Sequence, residues 1–186
     1  MGFPRATEIA QLLVKKRLHP GDRAVDATVG NGHDTLFLAS CVGPAGRVDG
    51  FDIQEAAIAG TRRRISADQP VVLHLRGHEE MASVVPAGVK AVMFNLGYYP
   101  SGDKSIITQP DTTLRALEAA LDLLVPEGIV TVVIYPGHPG GAEEADRIKA
   151  WLAGLPPERY RTVHYGIQGR PGGSPPPYLL AIERER

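Results

Sequence analysis

Short apolar runs alternate with amphipathic segments along this chain, and that alternation limits its possible folds more than any single motif does. Five strand-like runs come first, separated mostly by helical patterns, at residues 23–29, 46–53, 70–75, 89–96 and 128–136. Strands that alternate with helices predict a parallel sheet covered on both faces. Two final strand-like runs, 160–167 and 177–184, have no helix between them and predict an antiparallel hairpin at one edge. We therefore expect an α/β fold with a seven-stranded, mostly parallel sheet, in a single domain over residues 1–186.

The helical patterns are clearest at the start of the chain and after the fourth strand. Ile9, Leu12 and Leu13 fall at helical spacing, and leucines recur at that spacing through residues 111–124. Asp111, Thr112 and Thr113 are residue types that cap helix N-termini, so we expect the second of these helices to be capped there.

Composition and charge exclude several classes of protein. Hydrophobic residues make up 43% and charged residues 22% of the chain, which indicates a globular protein rather than a disordered one. No apolar run approaches the roughly 18 residues that span a bilayer, and the N-terminal segment does not resemble a signal peptide. The single cysteine, Cys41, excludes an internal disulfide. We expect a cytoplasmic protein with no membrane partner.

The net charge of −1 does not by itself favour a nucleic acid partner. Such a partner would need a local basic patch. The candidates are the clusters Arg62-Arg63-Arg64 and Lys15-Lys16-Arg17, each of which could equally be a solvated surface.

A glycine-containing turn follows the first predicted strand, in the segment DATVGNGHDT. Gly30, Asn31 and Gly32 would lie at the carboxyl edge of the sheet, where folds of this kind bind ligands. Asp52 ends the second predicted strand, and a carboxylate there can accept both hydroxyl groups of a ribose. The turn and Asp52 together predict a site for a nucleoside-containing cofactor.

This spacing fits either S-adenosylmethionine or NAD. The dinucleotide pattern G-x-G-x-x-G needs a third glycine at the helix start, but Thr35 holds that position. Asp26 lies where S-adenosylmethionine enzymes place an acid near the methionine end of their cofactor. Asp34 would be unfavourable beside a pyrophosphate, although it is also explained as an acid at a helix N-terminus. The residues favour S-adenosylmethionine and leave NAD as the alternative.

The segment RGHEE follows the third predicted strand, where an adenine edge is usually bound. His78 is the candidate contact, with a surface loop histidine as the alternative. A metal site could in principle be built from His33, Asp34, Asp52 and His78. No paired histidine motif supports it, so we expect no metal.

The segment FNLGYYPSGDKSI, at residues 94–106, carries far more polar and aromatic chemistry than a strand end needs. Pro, Ser, Gly and Asp all favour turns, so part of it is explained as turn chemistry. Asn95 is different, because an amide at a buried strand end needs hydrogen-bond partners. A second such segment, YPGHPGG at 135–141, ends the fifth strand at the same edge and would form the opposite wall.

These motifs together resemble a family of small class I methyltransferases described as putative rRNA methylases. The resemblance rests on VDATVGNGHDTLFLA, GFDIQEAAI, HEE, FNLGYYPSGDKSIIT and VIYPGHPGGAEE, and covers about residues 26–144. It implies a Rossmann-like class I methyltransferase fold and S-adenosylmethionine as the cofactor. Characterised bacterial members are similar to enzymes that methylate the amino group of 5-aminomethyl-2-thiouridine at the tRNA wobble position, which implies tRNA, at its anticodon region, as the partner.

The resemblance also implies roles for individual residues. The expected cofactor contacts are Asp26, Thr28, Gly30, Asn31, Gly32, Asp34, Asp52, Ile53, Gln54, His78, Glu79 and Asn95. Asn95, Leu96 and Gly97 would line the methyl-transfer site. The chain departs from the family in IQGRPGGSPPPY, where an expected asparagine-rich tract is replaced by Gly, Arg and Pro. That departure bears on substrate contacts from the last hairpin loop, not on cofactor binding.

The expected reaction is an SN2 displacement, in which positioning is the main contribution of the enzyme. Asn95 would accept hydrogen bonds from the amine and aim its lone pair, with Gly97 and Tyr98 beside it. Asp103 is the expected proton acceptor.

The remaining expected contacts are with the substrate. Tyr98 or Tyr99 would stack on the flipped base, and Lys104, Tyr135 and His138 would contact RNA. Pairing of two subunits would widen the basic surface, so a homodimer is a further expectation.

Four alternatives stay open from the sequence. They are a methyltransferase of rRNA, a methyltransferase of a small-molecule amine, an NAD-dependent oxidoreductase and a non-catalytic RNA-binding module. The small-molecule alternative is favoured by the lack of overall basicity.

Overall fold

A computed structural model describes residues 2–99, 101–103, 105–168 and 173–186. Its centre is a seven-stranded sheet with the order β3-β2-β1-β4-β5-β7-β6. The strands are β1 (Arg23–Asp26), β2 (Arg47–Asp52), β3 (Val71–Leu75), β4 (Val89–Asn95), β5 (Leu124–Ile134), β6 (Tyr160–Gly166) and β7 (Tyr178–Arg184). The helices are α1 (Ala6–Lys15), α2 (His33–Val42), α3 (Glu55–Arg62), α4 (Pro110–Leu123) and α5 (Gly141–Ala153), with a 3₁₀ helix at His78–Ser83.

Strands β1 to β5 are parallel, and β7 is antiparallel to both of its neighbours, β5 and β6. The chain proceeds outward from β1 to β3 and then returns to β4 on the other side of β1. The strand order therefore reverses between β1 and β4, and a crevice opens beyond the carboxyl ends of these two strands.

Two apolar layers cover the two faces of the sheet. One packs side chains of α4 and α5, including Leu117 and Ile148, against the sheet, and the other packs α1 and α2 through Val14 and Leu38. The apolar run of β5 is almost continuous because both of its faces are buried. Successive residues point to opposite faces of the strand, so Val132 enters the first layer and Val133 the second.

The α/β architecture, the seven strands and the terminal antiparallel hairpin confirm the expected class I methyltransferase sheet. Two local expectations were wrong. α4 begins at Pro110, with Gln109 as its N-cap, so Asp111, Thr112 and Thr113 lie inside the first turn. A proline is favoured at the first helical position because its fixed φ suits a helix and its missing N–H would have no intrahelical partner. The segment QEAAIAGTRRRISA predicts a helix over residues 54–67, but α3 ends at Arg62.

Within the described part of the chain, no helix is long and apolar enough to cross a membrane.

Candidate active site

A cavity of about 960 Å³ lies at the carboxyl edge of the parallel strands. The residues that follow β1 to β5 line it, at 27–31, 51–54, 76–79, 95–99, 135 and 137–138. The N-terminal half of α1 closes one side through Arg5, Thr7, Glu8 and Gln11. Residues 106–109 and 112, together with Ser174, Pro175 and Pro177 before β7, complete the wall.

The glycine turn after β1 is fixed to β2 and α3. The Gly30 amide donates to Asp52 Oδ2 at 2.9 Å, which joins the turn to the end of β2. Gly30 and Gly32 have φ angles of 48° and 75°, a region that favours glycine. A Cβ at Gly32 would lie 2.5 Å from Thr61 Oγ1, so this glycine serves the packing of the turn on α3.

Asp26 and Asp52 are the first two of three carboxyl groups at this edge. Asp26 is only 1% exposed and accepts hydrogen bonds from the Thr28 amide at 3.1 Å and from Thr35 Oγ1 at 2.5 Å. Burial, together with the nearby Asp34, raises the pKa of Asp26 to about 7. Burial also raises the pKa of Asp52, against the hydrogen bonds from the Gln54 and Gly30 amides. A cluster of nearby buried carboxyl groups is unfavourable when all of them are ionised, and a bound cation would stabilise it.

Asp34 is the third carboxyl group, and it fixes the orientation of Asn95. Asn95 Nδ2 donates to Asp34 Oδ2, and Gln11 Nε2 donates to Asp34 Oδ1 at 2.8 Å. The Asn95 amide nitrogen of the main chain donates to Thr28 Oγ1 at 2.7 Å, which ties the end of β4 to the turn after β1. Because Nδ2 is engaged by Asp34, Oδ1 is the remaining group of this side chain, and no donor among the described residues reaches it.

The segment after β4 is held at its base by a buried carboxylate of α5. Gly97 donates to Thr108 Oγ1 at 2.9 Å and its carbonyl accepts from the Thr108 amide at 2.8 Å. Thr108 Oγ1 in turn donates to Glu144 Oε2 at 2.7 Å, and Thr113 Oγ1 donates to Glu144 Oε1 at 2.6 Å. Glu144 is 1% exposed, so its two oxygens orient the loop and the start of α4 from inside the protein.

The tip of the same segment reaches across to the cofactor side of the cavity. Gln54 Oε1 accepts from the Asp103 amide at 3.0 Å, and Ser101 Oγ donates to Asn31 Oδ1 at 3.0 Å. The Tyr99 ring lies against Gly30, where a Cβ would be 3.7 Å from its Cδ2. The tip therefore forms a strap from β4 to the glycine turn and to Gln54.

Asp103 lies in that strap and outside the cavity wall. Its carboxylate accepts from the Ser105 amide at 2.8 Å and from Ser105 Oγ at 2.6 Å. These bonds lower the pKa of Asp103, which makes it a weaker proton acceptor. Lys104, the other charged residue expected here, lies outside the described residues.

His78 lies in the cavity wall and is buried, so the alternative of a surface loop histidine was wrong. Its Nδ1 is 3.2 Å from the Ala27 carbonyl oxygen, and a carbonyl can only accept, so Nδ1 carries the hydrogen. Burial lowers the pKa of His78, which keeps the ring neutral. Glu79 lies beside it in the cavity wall.

The turn after β5 forms the wall opposite the glycine turn. Tyr135 and His138 both line the cavity. The His138 ring meets Tyr98 edge to face, with centroids 6.1 Å apart, and lies close to Gly97, where a Cβ would be 3.4 Å from its Nε2. Burial raises the pKa of the Tyr135 hydroxyl.

The structure brings most of the predicted residues together around this one cavity. Those in its wall are Thr28, Gly30, Asn31, Asp34, Asp52, Ile53, Gln54, His78, Glu79, Asn95, Gly97, Tyr98, Tyr99, Tyr135 and His138. Asp26 and Gly32 lie behind the wall and support it.

Sequence reasoning missed three contributors: Gln11 on α1, Thr108 and Glu144. An isolated polar residue such as Gln11 carries no local signal, because only the tertiary fold places it beside Asp34. A glutamate followed by helical residues is likewise indistinguishable from a solvated one until its burial is known.

The cavity fits S-adenosylmethionine better than a dinucleotide or a metal. Three carboxyl groups at one edge favour a cationic cofactor and disfavour a pyrophosphate. Asp52 would hold the ribose, Asp34 would face the cationic end, and Asp26 would act on that end from behind the wall. When bound, this cofactor supplies an electrophilic methyl group. Within the described residues, no group of three or more His, Cys, Asp or Glu side chains is arranged to hold a metal ion.

Comparisons with known proteins agree with this geometry. The model of the family described as "Putative rRNA methylase" matches residues 48–183. The chain is 40% identical, over 183 aligned residues, to an Arabidopsis thaliana protein named tRNA (mnm(5)s(2)U34)-methyltransferase, chloroplastic; the match covers 91% of this chain and 67% of that protein.

Two solved structures are similar over almost the whole chain. One is a putative rRNA methylase from Clostridium thermocellum, with a TM-score of 0.92, 42% identity and coverage of 99% of this chain and 100% of that one. The other is a putative methyltransferase from Streptococcus mutans in complex with SAH, with a TM-score of 0.89, 33% identity and coverage of 98% and 99%. Since the family model spans well over half of the sequence, the chain belongs to the putative rRNA methylase family and is an S-adenosylmethionine-dependent methyltransferase.

Proposed function

We propose that this methyltransferase acts on tRNA and methylates the aminomethyl group of 5-aminomethyl-2-thiouridine at the wobble position. The Arabidopsis relative, whose name gives the methylated product of that reaction, supports the substrate. Residues 1–186 would act as one catalytic domain, in the cytoplasm, with a homodimer as the expected assembly.

The observation that carries the proposal is the Asn95 side chain. Its Nδ2 is held by Asp34, so its Oδ1 is left as a hydrogen-bond acceptor without a donor from the described residues. A buried acceptor in that state costs roughly 1–3 kcal/mol, and native proteins rarely keep one without a reason. An amine N–H of the substrate could donate the missing hydrogen bond to Asn95 Oδ1. A hydroxyl or ring nitrogen that acts as a nucleophile offers fewer hydrogen-bond donors than a primary amine, which keeps two N–H groups while it reacts.

The neighbouring residues fit a base attached to that amine. Tyr98 is 42% exposed at the cavity wall, where its ring can stack on a nucleobase for roughly 1–3 kcal/mol. Tyr99 packs on the glycine turn instead, so Tyr98 is the better candidate for this contact. Tyr135 and His138 would complete the substrate side of the cavity.

Asp34 is a better candidate than Asp103 for receiving the proton of the substrate ammonium. Asp34 lies in the cavity wall against Asn95, and burial raises its pKa. Asp103 is exposed, lies outside that wall and has a lowered pKa. A proton acceptor works best when its pKa approaches the operating pH.

The experiment is an incubation of the purified protein with methyl-labelled S-adenosylmethionine and bulk tRNA from a strain that lacks this gene. The tRNA is then digested and the labelled nucleoside is identified by mass. We expect the label in 5-methylaminomethyl-2-thiouridine. Label in rRNA or in small amines only, with cofactor binding intact, would assign the alternative substrates instead.

The matched variant is Asn95→Ala. We expect it to lower kcat by about tenfold to a hundredfold, because a loss of amine positioning acts on the transfer step. S-adenosylmethionine affinity, measured by calorimetry, should change little. A variant with unchanged turnover would remove Asn95 from the proposed mechanism.

A further inference from the structure

Two hydrogen-bond acceptors without donors lie in the wall of the same cavity. Among the described residues, Asn95 Oδ1 and His138 Nε2 are both buried atoms with no hydrogen-bond partner, and both side chains line the cavity. The two other unpartnered side-chain atoms of this kind, Thr131 Oγ1 and Tyr178 Oη, belong to residues outside that wall.

The tautomer of His138 makes its Nε2 an acceptor. Nδ1 lies 2.8 Å from the Pro139 carbonyl oxygen, and since a carbonyl only accepts, Nδ1 carries the hydrogen. In the neutral ring Nε2 therefore presents a lone pair.

Glycines on both sides make room for this ring. A Cβ at Gly97 would lie 3.4 Å from His138 Nε2, and a Cβ at Gly141 would lie 2.9 Å from it. The second distance is shorter than real Cβ atoms show. Gly97 and Gly141 thus hold the imidazole between the end of β4 and the start of α5. Gly97 is two residues from Asn95 along the chain.

We propose that Asn95 Oδ1 and His138 Nε2 together bind the two N–H groups of a primary amine, and that this pair of acceptors limits the enzyme to one methyl transfer per amine. The inference rests on the function proposed above and specifies the substrate class of that site.

The chemistry follows from the count of donors. The substrate ammonium first releases one proton, which leaves an amine with two N–H groups and one lone pair. With both N–H groups held by the two acceptors, the lone pair points away from them, toward the methyl carbon. The amine nitrogen then bonds to that carbon while the carbon–sulfur bond breaks and its electron pair stays on sulfur. The product is a secondary ammonium, which releases one proton to water.

A second transfer would start from a poorer fit. The neutral secondary amine has a single N–H group, so one of the two acceptors would again lack a donor. Its methyl group would also occupy the space beside that acceptor. Leaving one buried acceptor unpaired should slow the second transfer by at least about tenfold relative to the first.

Neither acceptor atom is in contact with bulk water, so a neighbouring side chain has to turn aside before an amine can reach them. Tyr98, which lies edge-on to His138 and is 42% exposed, is the neighbour that we expect to move. The same movement would bring its ring toward the substrate base.

The test compares two substrates and three variants. Anticodon stem-loops carrying either the aminomethyl or the methylaminomethyl group are incubated with protein and S-adenosylmethionine, and products are identified by mass. Affinity of the protein–SAH complex for each stem-loop is measured by calorimetry as a second readout. His138→Leu removes the acceptor at similar volume, and His138→Gln retains one. His164→Leu is the matched control, because His164 also contacts a tyrosine ring, Tyr178, but lies outside the cavity.

We expect the unaltered enzyme to prefer the aminomethyl stem-loop by at least about tenfold in both rate and affinity. His138→Leu should slow the first methylation and bring the two rates together. His138→Gln should keep part of the preference, and His164→Leu all of it. The melting temperature shows whether each variant folds. If one does not, the comparison of the two substrates with the unaltered enzyme still tests the proposal.

Two results would overturn the inference. Equal methylation of both stem-loops by the unaltered enzyme, or an unchanged rate and preference in folded His138→Leu, would refute the acceptor pair and leave the proposed tRNA substrate intact. Absence of methylation of both stem-loops, with S-adenosylmethionine binding retained, would instead refute the substrate and the inference with it.

Discussion

Asp26 is the residue at which folding and cofactor binding impose opposite requirements. Burial raises its pKa to about 7, so the folded protein favours the protonated carboxyl group. A cationic cofactor favours the carboxylate. We expect S-adenosylmethionine affinity to be constant above about pH 7 and to fall by up to about tenfold per pH unit below it. Calorimetry at about pH 6 and about pH 8, in buffers of different ionisation enthalpy, measures both the affinity and the protons released.

Asp26→Asn is the control for this assignment. Asp34 and Asp52 also have pKa values raised by burial, whereas the lowered pKa of His78 keeps that ring neutral. The variant should bind S-adenosylmethionine more weakly, and its affinity should lose most of the pH dependence. If the full dependence persists, Asp34 or Asp52 is the group that titrates.

The raised pKa of Asp26 also predicts how the stability of the protein changes with pH. A carboxyl group with a higher pKa in the folded state binds its proton more tightly there, so stability falls as pH rises from about 4 to about 7. The loss is on the order of 4 kcal/mol. Asp26→Asn should therefore lose less Tm between about pH 5 and about pH 8 than the unaltered cofactor-free protein does, as scanning calorimetry measures. An equal loss of Tm in the two proteins would contradict the raised pKa.

At the scale of elements, helix α5 controls the loop that follows β4 through one buried carboxylate. Glu144 accepts from Thr108 and Thr113, and Thr108 accepts from Gly97. In Glu144→Gln only one oxygen remains to accept, so we expect the loop to lose its position and kcat to fall by about tenfold or more. Cofactor affinity should change little, because the glycine turn is held separately by Asp52. Steady-state kinetics and calorimetry together test both parts.

Thr113→Val is the matched control. Thr113 Oγ1 donates to the other oxygen of Glu144, and the only bond of Thr113 to the loop among the described residues is from its main-chain amide to Gln109, which a valine keeps. This variant should lose stability comparably, by roughly 1–3 kcal/mol, and yet keep kcat. An equal fall of kcat in both variants would mean that Glu144 acts only through stability.

The strap between β4 and the glycine turn leads to a prediction about cofactor exchange. Gln54 holds the Asp103 main chain through its side-chain amide, and Ser101 bonds to Asn31. Ser101→Ala removes one attachment without altering the cavity wall, in which Ser101 does not take part. We expect SAH to dissociate several-fold faster in stopped-flow fluorescence, because the strap is attached to the glycine turn in the cavity wall and would open more often with one attachment fewer. Ser40→Ala, which removes a local bond on α2, should leave that rate unchanged.

Helices and strands were predictable where their sequence signal is local. Site residues were predictable where they end a parallel strand. β5 and α4 follow from periodicity, since apolar runs and leucines at helical spacing need no knowledge of neighbours. Asn95 and Asp52 were predictable because both end parallel strands and therefore share one edge. Gln11 was not, because its contact with Asp34 joins residues 23 positions apart on different elements. The start of α4 was misplaced because Pro110 competes with three good capping residues.

At the scale of the whole molecule, a net charge of −1 means that the proposed tRNA substrate would need a local basic surface. The arginine cluster after α3 lies at the rim of the cavity. Arg64 donates to the Asn31 carbonyl oxygen, and the Arg63 guanidinium lies beside Gly60, near the Tyr99 hydroxyl. The cluster Lys15-Lys16, by contrast, is at the C-terminal end of α1, away from the end that lines the cavity.

This arrangement predicts which basic cluster binds RNA. Each phosphate contact with a single-stranded loop contributes about 0.7 to the slope of log affinity against log salt. Arg63→Glu should weaken tRNA binding and reduce that slope by about 1, whereas Lys15→Glu with Lys16→Glu should change neither. Filter binding across a salt series measures both quantities, and Asn95→Ala run in parallel should leave the slope unaltered because it touches no phosphate. If the α1 lysines prove to carry the salt dependence, the tRNA must extend along α1 to its C-terminal end, away from the end that lines the cavity.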